Sequence, residues 1–304
     1  MRREDLTSGG AGGAALATRP LLAVGLMVAA IGFIAVVDTI AKEMTQRLHA
    51  LQILWGYFFG IAAFVSLWAA TSGRLAALLR TRRPLLQAGR AALLVLSIGA
   101  LFIGLTFIPI ADATVISFTA PLFITVMSAL FLSEKVGPHR WGAVLVGLLG
   151  VVLIVRPGGE LWHWAAAGPL LGAVAFAGYQ VATRALAASE QTGTTLIYTA
   201  LGGLIWISFA QPFVWQPLAG RDWLIFAGLG AMGAAAHFCM ISAFERAQAS
   251  LLAPFNYTKL IWVALLGYVV FGEVLGLTTL AGAALIVGGG LYSLWRETRA
   301  ARAA

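Results

Sequence analysis

Apolar runs alternate with short polar stretches along almost the whole chain. Each run holds about 20 residues, which is the length of helix that crosses the hydrocarbon core of a bilayer. The polar links are too short to contain a soluble domain. The pattern therefore predicts ten transmembrane helices. The predicted helices cover residues 20–41, 51–70, 90–108, 111–133, 139–155, 165–187, 194–214, 223–243, 250–272 and 277–295.

The composition agrees with a membrane protein and excludes a soluble one. Hydrophobic residues make up 60% of the chain, charged residues 11%, and the mean hydropathy is +0.90. A soluble domain carries about 25% charged residues. The net charge of +8 would suggest a nucleic-acid partner in a soluble protein. Here we attribute it to membrane topology, so we expect a lipid bilayer as a partner and no nucleic acid.

The basic residues predict the orientation of the helices. With the N-terminus placed inside, fifteen Lys and Arg residues fall on the inner side and four on the outer side. Basic residues concentrate on the cytoplasmic side of membrane proteins. The basic loop 71–90 contributes most to this signal. We predict a multi-pass protein of a bacterial-type inner (plasma) membrane, with both termini cytoplasmic. Residues 1–18 read as a disordered cytoplasmic tail and residues 297–304 as a second, short tail.

The two halves of the chain resemble each other. An offset of 139 residues aligns Glu134 with Glu273, and an offset of 142 aligns Asp38 with Gln180. We predict two five-helix repeats, at residues 19–156 and 162–296. Because five is odd, the second repeat enters the membrane upside down. The predicted fold class is therefore an all-α integral membrane protein whose ten helices form two inverted repeats, an architecture typical of transporters.

The fourth helix of each repeat has an unusual design. Pro121 interrupts the first copy and Pro254 the second, and each copy ends on a small residue followed by Glu134 or Glu273. Proline removes a backbone donor and disrupts the helix locally. Such breaks either line a cavity or bend a helix for packing. We interpret the two glutamates as structural charges that cap the N-terminus of the next helix.

These features resemble the drug/metabolite transporter superfamily, EamA type. The resemblance rests on the five-plus-five pattern, the proline-containing fourth and ninth helices, their FLSE and VFGE ends, and the glycine-rich fifth and tenth helices. It covers nearly the whole chain after residue 20. It implies export of amino acids, other small metabolites or drugs, and the branch of amino acid exporters, including those for aromatic amino acids, is the most similar. Many members carry an arginine in the second helix, whereas this chain reads LQILWGYFF at 51–59.

Lys259 is the leading candidate for binding a substrate. A helix that starts near Ser250 places it about 14 Å deep, close to the middle of the membrane. A lysine at that depth should lose its charge or find an anion, and the carboxylate of an amino-acid-like substrate would supply one. Snorkelling, or bonds to carbonyls freed by the proline, is the structural alternative. Asn256 and Tyr257 follow the break and are further candidates. Tyr257 and Lys259 share a helix face only if the helix is locally unwound.

Other polar and aromatic residues inside the predicted helices are candidates for a lined cavity. His237 and Gln180 come out at similar depths, and His237 could also carry a proton. Bonds to neighbouring helices are the alternative for His237. Trp55 and Tyr179 could line the same cavity or simply pack. The glycine-rich helices are candidates for the seam between repeats or for a homodimer contact.

Asp38 and Lys42 lie four residues apart near the outer end of the first helix. We interpret them as an interfacial ion pair, because such spacing places two side chains on one helix face.

The sequence contains no pattern that predicts catalysis. The four histidines are scattered, the single cysteine excludes a cysteine-rich metal site, and we predict no catalytic residue, metal or cofactor. We therefore predict a transporter that exports small organic solutes, most of all amino acids, by alternating access. Export of other metabolites or drugs is the alternative within the family. An integral membrane enzyme or a channel is the alternative of another class.

Overall fold

The computed structural model describes residues 20–131, 138–155, 164–187, 189–244 and 253–303. Within these ranges every regular element is a helix. Two short 3₁₀ helices, Trp164–Ala166 and Ala253–Tyr257, precede α8 and α12. The α-helices are α1 (Pro20–Met44), α2 (Ala50–Thr71), α3 (Leu75–Leu78), α4 (Pro84–Leu105), α5 (Ile110–Ser117), α6 (Ala120–Phe131), α7 (Pro138–Val155), α8 (Ala167–Ala187), α9 (Thr192–Ser208), α10 (Gln211–Val214), α11 (Gly220–Phe244), α12 (Thr258–Phe271) and α13 (Leu277–Ala303).

Six stretches within the described ranges are long and apolar enough to cross a membrane. Four further apolar helices are shorter, so the predicted count of ten crossings stays a prediction. The six stretches are Leu21–Met44, Ala50–Thr71, Pro84–Leu105, Ile110–Met127, Trp164–Thr183 and Gly220–Met240. The shorter helices are Trp141–Val155, Gly193–Ser208, Phe255–Phe271 and Leu277–Tyr292.

Several helix boundaries differ from the prediction, and two of the differences change how a stretch of the chain is interpreted. α4 begins at Pro84 rather than at residue 90, because proline at the first helical position fits the helix and needs no donor. Arg90 is therefore a helix residue and does not belong to the loop. At the other end of the chain α13 continues to Ala303, so the backbone that we expected to form a tail from residue 297 is helical.

The fourth helix of each repeat is interrupted. α5 ends at Ser117 and α6 begins at Ala120, so Pro121 lies in the first turn of α6. Pro254 lies in the 3₁₀ helix that precedes α12. In both places the proline sits near the beginning of a new helix segment, where its missing N–H leaves no intrahelical bond unmade.

The helices pair in a pattern that is unchanged when the two halves are exchanged. α4 packs against α8 and α9, while α11 packs against α1 and α2. α2 packs against α9, α5 against α12, and α7 against α13. This is the set of contacts expected of two repeats related by a two-fold axis.

Glycines allow the closest of these contacts. A Cβ atom added to Gly60 of α2 would lie 2.7 Å from the Cα atom of Gly230 in α11. A Cβ atom added to Gly150 of α7 would lie 2.8 Å from the carbonyl oxygen of Gly282 in α13. Small residues let membrane helices approach to backbone contact. The glycine-rich α7 and α13 thus meet each other across the seam between the two halves.

Candidate functional site

The centre of the site is a buried ion pair between the two halves of the chain. Lys259 is the second residue of α12, directly after the 3₁₀ helix, and its Nζ atom lies 2.7 Å from Oδ2 of Asp38 in α1. The side chains are 18% and 8% exposed. The contact is an ion pair between an ammonium group and a carboxylate. The predicted partner of Lys259 was a substrate carboxylate, and in this structure its place is taken by Asp38.

The predicted pair between Asp38 and Lys42 is wrong. Lys42 instead forms an ion pair with Glu273, which follows α12, and its Nζ atom donates to the carbonyl oxygen of Ile108 at 2.9 Å. The other carboxylate oxygen of Glu273 accepts from the backbone N–H of Ile110 at 2.9 Å. The reason is geometric: α12 crosses α1 on the face that carries both charges, so each finds a partner on the other half of the chain.

Glu273 does cap a helix N-terminus, although not the predicted one. Ile110 is the first residue of α5, and the residue before it, Pro109, makes no side-chain cap. The first N–H groups of a helix have no partner within the helix and attract negative charge. Glu273 therefore satisfies the end of a broken helix in the first repeat rather than the start of α13. Glu134, its sequence equivalent, lies outside the described residues.

Two tyrosines lie in the interior of the bundle, and one of them, Tyr57, lies near Asp38. Tyr57 of α2 is within electrostatic range of Asp38 and of Tyr179 in α8. The ring of Tyr179 stacks on Phe176 with centroids 5.7 Å apart. Both tyrosines pack against the largest cluster of buried hydrophobic side chains. Asp38, Lys259, Tyr57 and Tyr179 thus place polar groups from α1, α2, α8 and α12 in the interior of the bundle.

Asn256 and Tyr257, the remaining candidates beside the helix break before α12, differ in their surroundings. Asn256 is exposed and has an interaction partner, whereas Tyr257 is half-buried. The Oη atom of Tyr257 points at α13, where a Cβ atom on Gly290 would lie 1.9 Å from it. As the spacing implied, Tyr257 does not contact the Lys259 pair. Its position is decided by packing between α12 and α13.

Three candidates on other helices are not brought into contact with the ion pair. Trp55 donates to Oγ of Ser208 at 3.0 Å and packs edge-on against Trp215 with centroids 5.5 Å apart. Gln180 is exposed. His237 is half-buried in α11 and forms no hydrogen bond with any part of the chain that the structure describes.

Several polar residues that sequence reasoning missed are buried between helices. Arg90 is 1% exposed and lies between α4, α8 and α9. Asp112 is buried in the first turn of α5 and accepts from Oγ1 of Thr279. The apolar run that follows Arg90, together with Pro84 before it, could have indicated that this arginine is inside a helix. Nothing in the sequence indicates that Thr279 lies beside Asp112.

A further ion pair links the loop after α1 to the start of α11. Arg47 pairs with Asp222, whose Oδ2 atom also accepts from the backbone N–H of Ala219 at 2.8 Å. The hydrogen bond that Arg47 donates to the carboxylate of Asp222 raises the pKa of Arg47. Asp222 is fully buried, so the pair holds the two halves together at the end of the bundle that also carries Lys42 and Glu273.

The site offers charged groups that can bind a polar solute. Within the described residues, no three His, Cys, Asp or Glu residues are placed to hold a metal ion. The buried polar groups include ion-paired side chains, tyrosines, amides and the guanidinium group of Arg90. Two pseudo-equivalent halves with broken helices and buried charges at their contact define a membrane carrier.

The family to which this carrier belongs is shown by comparison with known proteins. The model of the EamA-like transporter family matches residues 21–156 and, a second time, residues 163–295. The chain is a member of the EamA-like transporter family, and it is a multi-pass membrane transporter. The resemblance to the drug/metabolite transporter superfamily is therefore confirmed.

Individual relatives are named for different solutes and directions. The chain is 28% identical over 271 residues to an S-adenosylmethionine uptake transporter of Rickettsia felis, covering 86% of this chain and 89% of the relative. It is 30% identical over 287 residues to a riboflavin transporter of Rhizobium johnstonii, covering 91% and 92%. It is 28% identical over 260 residues to a pseudopaline exporter of Pseudomonas aeruginosa, covering 83% and 89%.

A solved crystal structure supports the fold. It matches with a TM-score of 0.60 and 22% sequence identity, covering 91% of this chain and 98% of the other.

Proposed function

We propose that the protein carries small organic solutes with an amino-acid head group, and that Asp38 and Lys259 bind that group. The observation that carries the proposal is the buried pair itself, with 2.7 Å between Nζ and Oδ2. An amino-acid head group has one ammonium and one carboxylate. When the pair opens, Asp38 can take the ammonium and Lys259 the carboxylate, so that each charge exchanges one partner for another.

The energetics favour this exchange over binding of a singly charged solute. Removing one partner from a buried ion pair leaves an uncompensated charge, which costs about 3–5 kcal/mol. A solute with a single charge could satisfy Asp38 or Lys259 but not both. A zwitterion satisfies both and leaves the net charge of the site unchanged. We therefore infer that zwitterions are the preferred class of substrate.

The relatives support an amino-acid head group and offer one competing class. S-adenosylmethionine contains the amino and carboxylate groups of methionine, and the relatives from Rickettsia are named for its uptake. The riboflavin transporters have similar identity and coverage, and riboflavin has no such head group. Transport of a flavin is therefore the second candidate function, with the half-buried ring of Tyr57 as a surface on which its ring system would stack.

The proposed mechanism is alternating access between two pseudo-equivalent halves. Such a carrier works in both directions, and the net movement follows the gradients of solute and coupling ion. Relatives are named for uptake and for export. The sequence led us to expect export, and the proposed substrate class does not depend on that direction. We keep the predicted orientation, with both termini cytoplasmic, as part of the proposal.

Transport into liposomes that contain the purified protein tests the substrate class. Labelled S-adenosylmethionine, a set of labelled amino acids and labelled riboflavin are supplied in parallel, and protein-free liposomes provide the background. We expect saturable uptake of at least one zwitterion, and competition by other zwitterions. Saturable uptake of riboflavin without uptake of any zwitterion would establish the second candidate function and refute the first.

A further inference from the structure

Arg90 is the largest side chain in the described interior that is completely buried. Its guanidinium group donates to the carbonyl oxygen of Thr195 at 2.6 Å, to Oγ1 of Thr183 at 3.3 Å and to Oγ1 of Thr199. It also lies 5.1 Å from the centre of the Tyr179 ring. All four neighbours are neutral, so the cation is hydrogen-bonded but its charge is not compensated by them.

Arg90 differs in this respect from the other cations that the structure places inside the bundle. Lys42 pairs with Glu273, Arg47 with Asp222, and Lys259 with Asp38. Across the described ranges no carboxylate is paired with Arg90. A buried charge without a counter-charge is strongly unfavourable, particularly inside a membrane. The arrangement therefore favours an anion that comes from outside the chain.

Gln87 supplies a second, independent observation. It is fully buried in α4, and neither its amide nitrogen nor its amide oxygen has a hydrogen-bond partner. The Nε atom of Arg90 also lacks a partner. Residues three apart lie on the same helix face, so Gln87 and Arg90 extend from the same face of α4. Buried polar groups in folded proteins are almost always hydrogen-bonded, and an exception indicates a missing partner.

We propose that Arg90 and Gln87 form a binding site for a small anion between α4, α8 and α9. The Nε–H group of Arg90 and the amide NH₂ of Gln87 donate to it, and the charge of the guanidinium group attracts it. The chemistry fits a halide or a carboxylate group. The carboxylate has two sources, a free small acid or the transported solute. The site is separate from the Asp38–Lys259 pair and does not depend on the substrate class proposed above.

The loop before α4 carries exposed arginines that would attract an anion to this part of the protein. Arg80, Arg82 and Arg83 are exposed just before α4, and a cluster of like charges raises the local concentration of anions. The loop is held over the start of α9 by Glu190, whose Oε1 atom accepts from Oγ1 of Thr81 at 2.8 Å and from the backbone N–H of Arg82 at 2.8 Å.

The substitution Gln87→Leu tests whether Arg90 and Gln87 bind an anion or Arg90 has a purely structural role. Leucine has a similar volume and removes the two unpaired amide atoms. If the site never binds an anion, the substitution removes two buried polar atoms that lack partners. It should then stabilise the protein to the same extent whichever anion is present. If the site binds an anion, the variant loses stabilisation by that anion. Gln211→Leu is the matched control, since Gln211 is a buried glutamine on α10 that donates to Leu51 and Ile207.

The test is thermal unfolding of the purified protein in detergent, at constant ionic strength with gluconate as the balancing anion. Chloride and acetate are titrated separately, and the zwitterions that pass the transport assay form a third series. We expect a saturable rise in Tm for the wild type and for Gln211→Leu. In Gln87→Leu we expect the half-saturating concentration to rise about tenfold, the effect of one lost hydrogen bond to a charged group.

The three series distinguish the sources of the anion. If chloride or acetate raises Tm saturably, the ligand is a free anion. If a transported zwitterion raises Tm saturably, and this response is weaker in Gln87→Leu, the ligand is the carboxylate of the solute. The proposal is wrong if no series stabilises the wild type saturably. It is also wrong if Gln87→Leu and the wild type have the same half-saturating concentrations. Arg90→Lys, which keeps the charge and removes Nε, is expected to weaken the response in the same direction.

Discussion

The rings of Phe118 and Tyr257 lie 5.4 Å apart, edge to face at 84°. The offset of 139 residues that aligns the two repeats makes these residues equivalent. Phe118 follows α5 at the break of one repeat, and Tyr257 ends the 3₁₀ helix at the break of the other. The two helix breaks therefore touch each other through equivalent residues, as a contact on a two-fold axis must.

A double-mutant cycle measures this contact. An edge-to-face aromatic pair contributes about 0.5–1.5 kcal/mol beyond its buried area. For Phe118→Leu, Tyr257→Leu and the double variant, we expect a coupling energy in that range when unfolding by SDS is followed. Leucine is used because it leaves a smaller cavity than alanine. A coupling energy of zero would mean that the two breaks are not in contact in the membrane protein.

Neutralising Lys259 should weaken binding of zwitterions. Lys259→Gln keeps a polar side chain and removes the cation that we assign to the solute carboxylate. We expect the half-saturating concentration for transport to rise about tenfold or more, as for loss of a hydrogen bond to a charged group. The measurement is the concentration dependence of uptake into proteoliposomes. An unchanged affinity for carboxylate-bearing solutes would contradict the assignment. Lys42→Gln, which changes a cation paired elsewhere, is the matched control.

Neutralising Asp38 should reduce net uptake of solute much more than it reduces exchange of external solute for internal solute. In the empty carrier Lys259 is compensated by Asp38, so the unloaded protein can change its open side without a buried, unpaired charge. Asp38→Asn removes that compensation, while solute carboxylate still compensates Lys259 in the loaded carrier. We expect net uptake into empty liposomes to fall about tenfold or more, because an uncompensated buried charge costs several kcal/mol.

Exchange against solute loaded inside the liposomes should fall much less. Equal loss of net uptake and exchange would show that Asp38 acts only in binding. The double variant Asp38→Asn with Lys259→Gln removes both charges and should recover net uptake relative to Asp38→Asn, at reduced affinity.

Two substitutions at Glu273 distinguish its ion pair with Lys42 from its hydrogen bond with the backbone N–H of Ile110. Glu273→Gln retains an oxygen that can accept from Ile110 and loses the charge that pairs with Lys42. Glu273→Ala loses both. We expect Glu273→Ala to be less stable than Glu273→Gln by about 1–3 kcal/mol, the cost of leaving a buried backbone donor unsatisfied. Unfolding by SDS measures the difference. Equal stability of the two variants would show that the N-terminus of α5 does not depend on this carboxylate.

The contact of Glu190 with the loop before α4 should depend on pH. The hydrogen bond from Thr81 lowers the pKa of Glu190, with the backbone N–H groups of Arg82 and Arg83 acting in the same direction. Because the folded-state pKa is lowered, the contact stabilises the loop above the unfolded value, which is about 4.3. That stabilisation is lost as the pH falls through the folded-state value.

Hydrogen exchange measures the effect at the amide of Arg82. We expect its protection to decrease at acidic pH in the wild type. In Thr81→Val, which removes the hydroxyl donor, the decrease should begin at a higher pH. Protection that does not change with pH in either protein would contradict the role of Glu190.

The sequence by itself determined the class of the protein. Apolar runs of membrane length and the near absence of charge leave only helices, since every backbone polar group in a bilayer must be satisfied within the protein. The recurrence of the proline-containing helix predicted two repeats of one family, and the family match to both halves confirms it. These features are local, so they can be read from composition and spacing.

Only the tertiary structure decided which charges meet. Spacing along α1 suggested that Asp38 pairs with Lys42, yet Asp38 contacts Lys259 and Lys42 contacts Glu273. Arg90 was counted with a loop and lies between three helices. Each of these contacts joins residues of different repeats. They depend on how α1 meets α12 and how α4 meets α8 and α9, and helix packing of that kind is decided by the summed contacts of many side chains rather than by any local pattern.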